Sequence, residues 1–317
     1  MISYLFVSGF LGAGKTTLLN LMLQKYSHLK LGVIVNDFGE LMVDSKLLDH
    51  EHISGEIKEL KSGQIFCSCL SGSFIDAVLA YQDICPDLIL VECSGLAKPS
   101  TLQDIVEVIG KKAAGQFSCL GMVNVVDALR HRVLEQSLMV IHEQIAASSL
   151  VLLSKTSLVP VSAADELRAD LNSKYPDKPI LSFSSDAFDV DVLEMLKNRS
   201  GAYLSVDKKQ YAGWGEAGRP MSFVLLPPAG TTFADLSNRL GLFQSRWYRL
   251  KGTVLTEDKG ACLVDATDRE LHISPTTTMP DTRGLVVITH DEQLENDLKS
   301  AFGLQDLLPH KKIFYLQ

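Results

Sequence analysis

The sequence predicts an α/β protein in two parts, a mostly parallel β-sheet covered by helices followed by a small α+β domain. Three observations predict it. Apolar runs with the character of buried strands recur through the first part of the chain, separated by stretches of helical periodicity, and that alternation builds a parallel sheet with helices on both faces. A glycine-rich turn joins the first of these runs to the first helical stretch. Between residues 201 and 220 the alternation gives way to a polar segment containing Gly213, Gly215, Gly218 and Pro220, after which strand-like runs dominate.

Taken in order, Ser3 to Ser8 reads as a short strand. Thr16 to Gln24 reads as a helix, because Leu18, Leu19, Met22 and Leu23 share one helical face. Further buried-strand runs lie at Leu31 to Val35, Leu88 to Val91, Gly121 to Val126 and Leu150 to Leu153, with helices at Ser73 to Tyr81 and Ser100 to Ile109. The polar segment separates a domain of residues 1–205 from one of residues 206–317. In the second, strands are predicted at Met221 to Leu226, Trp247 to Leu255, Ala261 to Asp265 and Leu285 to Thr289, with helices at Thr232 to Leu240 and Asp291 to Phe302.

The turn after the first strand carries the strongest chemical signal. Residues 9 to 16, Gly-Phe-Leu-Gly-Ala-Gly-Lys-Thr, match the GxxxxGK[ST] phosphate loop, with an apolar strand before it and an apolar helix after it. Glycines are required because backbone N–H groups must approach phosphate oxygens closely, and the helix N-terminus adds a favourable dipole. Gly9, Gly12, Ala13, Gly14, Lys15, Thr16 and Thr17 are the predicted nucleotide-binding residues, and the first domain reads as a P-loop NTPase domain. Lys15 would reach the β- and γ-phosphates, and the Thr16 hydroxyl would ligate a bridging Mg2+.

After the strand at 88–91 comes Glu92-Cys-Ser-Gly95, which sets a carboxylate at a strand end beside the phosphate loop. Glu92 can hold Mg2+ or orient the attacking water, and Gly95 lets the backbone approach the γ-phosphate. The competing reading of Glu92 is a strand-end acid facing solvent. Asp127 ends another strand and is a weaker candidate of the same kind.

Composition narrows the partners. A length of 317 residues fits two domains, and a net charge of −8 argues against a general basic surface for nucleic acid. No uninterrupted apolar run is long enough to span a bilayer, so no membrane partner is expected. The phosphate motif begins at Gly9, leaving no room for a signal peptide, and the expected location is cytoplasmic. Cysteines at 67, 69, 85, 93, 119 and 262 lack the spacing of a secreted framework and read as thiols.

Several segments in order resemble the CobW family of P-loop GTPases, relatives of the metal-delivering UreG and HypB proteins. They are Gly9 to Thr17, Val35-Asn-Asp-Phe-Gly-Glu40, Glu92-Cys-Ser-Gly-Leu-Ala-Lys-Pro99, Val125-Val-Asp127 and, in the second domain, Arg249-Leu-Lys-Gly252. The resemblance implies a GTPase domain followed by a small C-terminal domain, with metal binding linked to nucleotide state. By the same resemblance Asn36 to Glu40 form a first switch that senses γ-phosphate and Mg2+, and Asp37 joins Lys15 and Glu92 as a catalytic candidate.

Two departures from the family pattern stand out. In place of a Gly-Cys-x-Cys-Cys metal motif, the chain has Gly63-Gln-Ile-Phe-Cys-Ser-Cys69. As thiolates, Cys67 and Cys69 could hold a soft or borderline cation such as Zn2+, Co2+ or Cu+, with Glu40 as a third ligand carried over from the switch motif. The alternative is a pair of small thiols packed under a loop. In place of the base-recognition motif Asn-Lys-x-Asp, the chain has Ser154-Lys155-Thr156-Ser157. The Asp that accepts guanine hydrogen bonds is absent, which leaves GTP against ATP open, while Ser154 and Lys155 still read as nucleotide contacts.

The expected function is a nucleotide-hydrolysing metallochaperone or metallocofactor-maturation protein that serves a client metalloenzyme, as monomer or homodimer. One alternative is a nucleotide-dependent module that recruits a partner, such as a corrinoid (cobalamin) enzyme, with little turnover. Another is an ATP-using P-loop kinase. His50 and His52 read as part of a solvated charged loop. Trp247 fits a core position as well as it fits a partner surface, and Cys93 is notable only for lying inside the phosphate-sensing segment.

Overall fold

The structure, a computed structural model, describes residues 1–35, 57–59 (backbone), 71–113, 115–135, 138–184, 188–197, 220–277 and 284–304, which form two compact units. The domain boundary expected at residues 205/206 lies outside the described residues.

In the first unit the elements run β1 (Ile2–Gly9), α1 (Lys15–Lys25), β2 (Leu31–Val35), β3 (Ile57–Glu59), α2 (Ser71–Leu79), β4 (Leu88–Glu92), α3 (Pro99–Lys112) and β5 (Phe117–Asp127). They continue with α4 (His131–Leu134), α5 (Met139–Ala147), β6 (Leu150–Ser154), α6 (Val161–Lys174), β7 (Ile180–Ser182) and α7 (Val192–Lys197). The strands form one sheet in the order β3-β2-β4-β1-β5-β6-β7, and every neighbouring pair is parallel.

A parallel sheet is covered on both faces, so its strands are apolar throughout rather than alternating. On one side Leu5 and Val7 of β1 pack with Leu18, Leu19 and Met22 of α1 and with Leu193 and Leu196 of α7. On the other, Tyr4 and Phe6 pack with Phe74 and Val78 of α2, Leu102, Ile105 and Ile109 of α3, and Ala147 of α5. Each such side chain contributes about 1.5–3 kcal/mol by leaving water. The Tyr81 hydroxyl ties down β2, donating to the Val33 carbonyl at 2.9 Å and accepting from the Val33 N–H at 3.0 Å.

Strand β5 is longer than the predicted run. The sequence places its start at Gly121, but the strand begins at Phe117 and its pairing with β1 shifts by one residue between Tyr4 and Leu5. Gly121, at φ 120°, is the bulge residue that permits this shift. Helices α5, α6 and α7 and strands β3 and β7 are absent from the sequence-derived elements. The reason is visible in α6, which buries only Ala164, Leu167 and Leu171, too narrow a stripe to mark a helix.

The second unit comprises β8 (Met221–Leu225), α8 (Phe233–Gly241), β9 (Arg249–Thr256), β10 (Gly260–Thr267), β11 (Leu271–Pro275), β12 (Gly284–Thr289) and α9 (Leu294–Ala301). Its sheet is antiparallel, in the order β11-β10-β9-β12-β8. Leu236 and Leu240 of α8 and Leu294 and Leu298 of α9 pack on Leu225, Leu250, Val254, Val264, Leu285 and Val287 of the sheet. The hydroxyl of Thr232 caps α8 by accepting from the Asp235 N–H at 3.1 Å. Trp247 is a core residue, its indole N–H donating to the Thr267 carbonyl at 3.0 Å. A Cβ at Gly252 would sit 1.9 Å from the Gly284 carbonyl oxygen, which explains the glycine that closes Arg249-Leu-Lys-Gly252. Among the described residues no helix is long and apolar enough to cross a membrane.

Candidate functional site

The carboxyl ends of β1 and β4 lie side by side, with Val7 in register with Glu92. That is the position where open parallel sheets bind ligands. Strand β1 delivers Gly9 at φ 138°, and a Cβ there would lie 2.3 Å from the Val125 carbonyl oxygen of β5. Left-handed conformations at Gly12 (φ 72°) and Gly14 (φ 97°) wrap residues 10–14 over the N-terminus of α1. The Ala13 N–H closes the turn onto the Phe10 carbonyl at 3.1 Å. Lys15 is buried, and its ammonium donates to the same carbonyl at 3.3 Å. The first N–H groups of α1 leave a donor-rich cradle with a positive dipole end.

One turn of geometry links the loop to β4. The Thr16 hydroxyl lies 3.1 Å from each carboxylate oxygen of Glu92, which is 5% exposed. Glu92 is therefore a buried acid aimed at the phosphate loop and not a strand-end acid facing solvent. The oxygens of Thr16 and Glu92 fit Mg2+, since two adjacent octahedral ligands at about 2.1 Å from the ion stand about 3.0 Å apart. These hard oxygen donors are also the type that Mg2+ selects.

Beyond Glu92 the chain leaves the sheet. The Cys93 N–H still donates to the Val7 carbonyl at 2.9 Å, and then Ser94 to Ala97 form a turn closed by the Ala97 N–H on the Ser94 carbonyl at 3.0 Å. Gly95 abuts the phosphate loop so closely that a Cβ would come within 2.7 Å of the Leu11 nitrogen. The buried carboxamide of Gln144, on α5, donates to the Gly95 carbonyl at 3.2 Å and to the Ala97 carbonyl at 3.0 Å. Cys93 is fully buried, and burial pushes its thiol far above the ordinary range despite the pull of Lys15. It is a neutral packing group rather than a nucleophile.

Strand β6 supplies the other flank. The Ser154 hydroxyl donates to the Ala13 carbonyl at 2.6 Å, and the Lys155 ammonium donates to the Gly12 carbonyl at 2.7 Å. Lys155 adopts a left-handed φ of 57° and pairs at 2.7 Å with the buried carboxylate of Asp127. Asp127 also accepts the Leu129 N–H at 2.9 Å. These contacts make Asp127 the anchor of Lys155. The Arg130 guanidinium donates to the Leu11 carbonyl at 3.4 Å. Ser157, where a base-recognition Asp would stand, is exposed.

The structure thus brings together Gly9, Gly12, Ala13, Gly14, Lys15, Thr16, Thr17, Glu92, Gly95, Ser154 and Lys155. Asp37, Glu40, Cys67 and Cys69, with His50 and His52, lie outside the described residues. Among the described residues no group of three or more His, Cys, Asp or Glu is placed to hold a metal. A cavity of about 560 Å3 beside β7, lined by Arg168, Ser182, Asp189, Asp191 and Glu194 among others, contains none of the predicted residues. Sequence reasoning passed over Gln144 and Arg130. Gln144 had no distinguishing mark, since His142 and Glu143 stand beside it in the same helix.

The family model described as CobW/HypB/UreG, nucleotide-binding domain, matches residues 3–182. The chain is 31% identical over 205 residues to the zinc chaperone CobW of Sinorhizobium sp, covering 55% of this chain and 56% of the relative. It is 32% identical over 183 residues to the zinc chaperone YjiA of Escherichia coli (strain K12), again covering 55% and 56%. The chain therefore spans about half the length of the curated relatives it matches. Among solved structures, Zn(II)-bound YjiA GTPase from E. coli aligns at 22% identity with a TM-score of 0.45, over 96% of this chain and 99% of that one. HypB from Archaeoglobus fulgidus aligns at 16% identity and a TM-score of 0.45, over 62% and 90%.

Proposed function

The chain belongs to the CobW/HypB/UreG family of nucleotide-binding proteins, and from that premise we propose that it hydrolyses a nucleoside triphosphate, GTP by preference, to drive the handling of a transition metal. The observation that carries the reading is the Thr16 hydroxyl facing the buried Glu92 carboxylate at 3.1 Å, one residue beyond Lys15 in the phosphate loop. In this reading the loop amides and the α1 dipole hold the phosphates, and Lys15 exchanges the Phe10 carbonyl for β- and γ-phosphate oxygens. Thr16 and Glu92 hold Mg2+, which supplies neutralisation of charge on those oxygens. Glu92 also orients the attacking water, assisted by Asp37. Gly95 offers backbone to the γ-phosphate, and Ser154 and Lys155 fix the loop beneath the base.

The metal is cargo. Cys67, Cys69 and Glu40 are its proposed ligands, two soft thiolates and a carboxylate that suit Zn2+ and, less well, Co2+. The names of the CobW and YjiA relatives, both zinc chaperones, support Zn2+. Loss of the γ-phosphate removes the contacts that order the switch, so the cargo site relaxes and the metal passes to a client metalloenzyme or a cofactor-maturation partner in the cytoplasm. In the Cys67→Ser, Cys69→Ser double variant, metal stoichiometry measured by equilibrium dialysis is expected to fall while nucleotide affinity stays within twofold. Equal stoichiometry in variant and parent would end the cargo proposal.

A second reading, use of ATP, is favoured by the exposed Ser157 in place of a guanine-binding carboxylate. Calorimetric titration of metal-free protein with Mg·GTP and with Mg·ATP decides between them. The first reading expects GTP to bind at least tenfold tighter, a difference of about 1.4 kcal/mol. Equal or tighter binding of ATP selects the second.

A further inference from the structure

We propose that Gln144 is a positioning residue that holds the Ser94–Ala97 turn in register with the γ-phosphate site. The inference rests on the nucleotide reading given above and extends it to helix α5, which carries none of the predicted ligand-binding residues.

Four observations converge on it. Gln144 is 1% exposed, between the buried Ile141 and Ile145, a costly place for a carboxamide unless its donors are used. Both donors are used on one target, at 3.2 Å on the Gly95 carbonyl and 3.0 Å on the Ala97 carbonyl. The turn's own backbone closure is the Ala97 N–H bond to Ser94, and the last rung to the sheet is one residue before it, at Cys93. The Ser94 hydroxyl, 3% exposed, has no hydrogen-bond partner among the described residues. The turn thus leaves one of its own buried polar groups unpaired while the Gln144 amide takes two of its carbonyls.

Its position matters because Gly95 is pressed against the Leu11 nitrogen of the phosphate loop. Tilting the peptide that carries the Gly95 carbonyl tilts the Gly95 backbone next to the place where the third phosphate sits. Gln144 therefore acts on discrimination between triphosphate and diphosphate and leaves the affinity common to both untouched. The same helix packs Ile145 and Ala147 into the core, which makes it a rigid mount for the amide.

The test is Gln144→Met, which keeps length and volume and removes both donors. Dissociation constants for GDP and for a non-hydrolysable GTP analogue, and for the adenine pair, are measured with Mg2+ in parent and variant. The expected result is GDP (or ADP) affinity within twofold of the parent, at least a tenfold loss in the triphosphate-to-diphosphate preference, and a tenfold fall in kcat with KM little changed. An unchanged preference, with only a lower Tm, makes Gln144 a core residue and overturns the inference while the nucleotide reading stands. A parent that binds neither nucleotide pair overturns that reading and this inference with it. Should Gln144→Met not fold, the isosteric Gln144→Glu is measured in the same way, and loss of folding in both also overturns the proposal.

Discussion

Replacing Lys15 by alanine is expected to lower kcat/KM for nucleotide hydrolysis by about two to three powers of ten, the loss typical when one preorganised charge-stabilising group is removed. The physical reason is that phosphoryl transfer leaves the protein little covalent chemistry, so catalysis rests on positioned positive charge. Lys15 is buried inside the loop and held by the Phe10 carbonyl at 3.3 Å, so it is already oriented before substrate arrives. Truncation removes one hydrogen bond to a loop carbonyl, which costs only about 1 kcal/mol of stability. The variant should fold and bind diphosphate. Phosphate release within threefold of the parent, measured on purified protein, would sink the assignment of this loop as the catalytic centre.

The second large effect is on stability. Gly9→Ala should destabilise the first unit by about 3 kcal/mol or more, because two penalties act together: a left-handed backbone conformation for an L-residue and a backbone clash with no flexible side chain to yield. The new Cβ would lie 2.3 Å from the Val125 carbonyl oxygen, within the β1–β5 pairing at the centre of the sheet. Gly110→Ala is the control. Gly110 sits inside α3 with nothing within 4 Å of the added Cβ, so that variant should gain about 1 kcal/mol of helix propensity. Urea midpoints of the two variants moving in the same direction would contradict the argument from close approach.

Much of the first unit was legible because its sheet is parallel. Buried on both faces, β1, β2, β4, β5 and β6 appear as largely apolar runs, and the loop after β1 has a motif whose glycines answer a steric demand. Glu92 was legible for the same reason, as a carboxylate at the end of such a run. The elements that escaped carry weaker signals: β7 spans three residues, and α6 buries three side chains on one narrow face. Asp127 was placed correctly at a strand end, but its pairing with Lys155, 28 positions away, was not legible because only the β5–β6 pairing brings the two together. Gln144 was illegible for a related reason. Its two acceptors are 49 and 47 positions away, and they are backbone carbonyls, which carry no mark in a sequence.

The hydrogen bond from the Cys93 N–H to the Val7 carbonyl, 2.9 Å long, is the last rung between β4 and β1. On its near side Glu92 is held in a seven-stranded sheet, with its carboxylate 3.1 Å from the Thr16 hydroxyl. On its far side the Ser94–Ala97 turn and Lys98 lead to Pro99, where α3 begins, with Leu102, Ile105 and Ile109 buried along it. The turn beside the phosphate loop and the start of α3 are thus one continuous stretch of chain, tethered to the sheet at that rung.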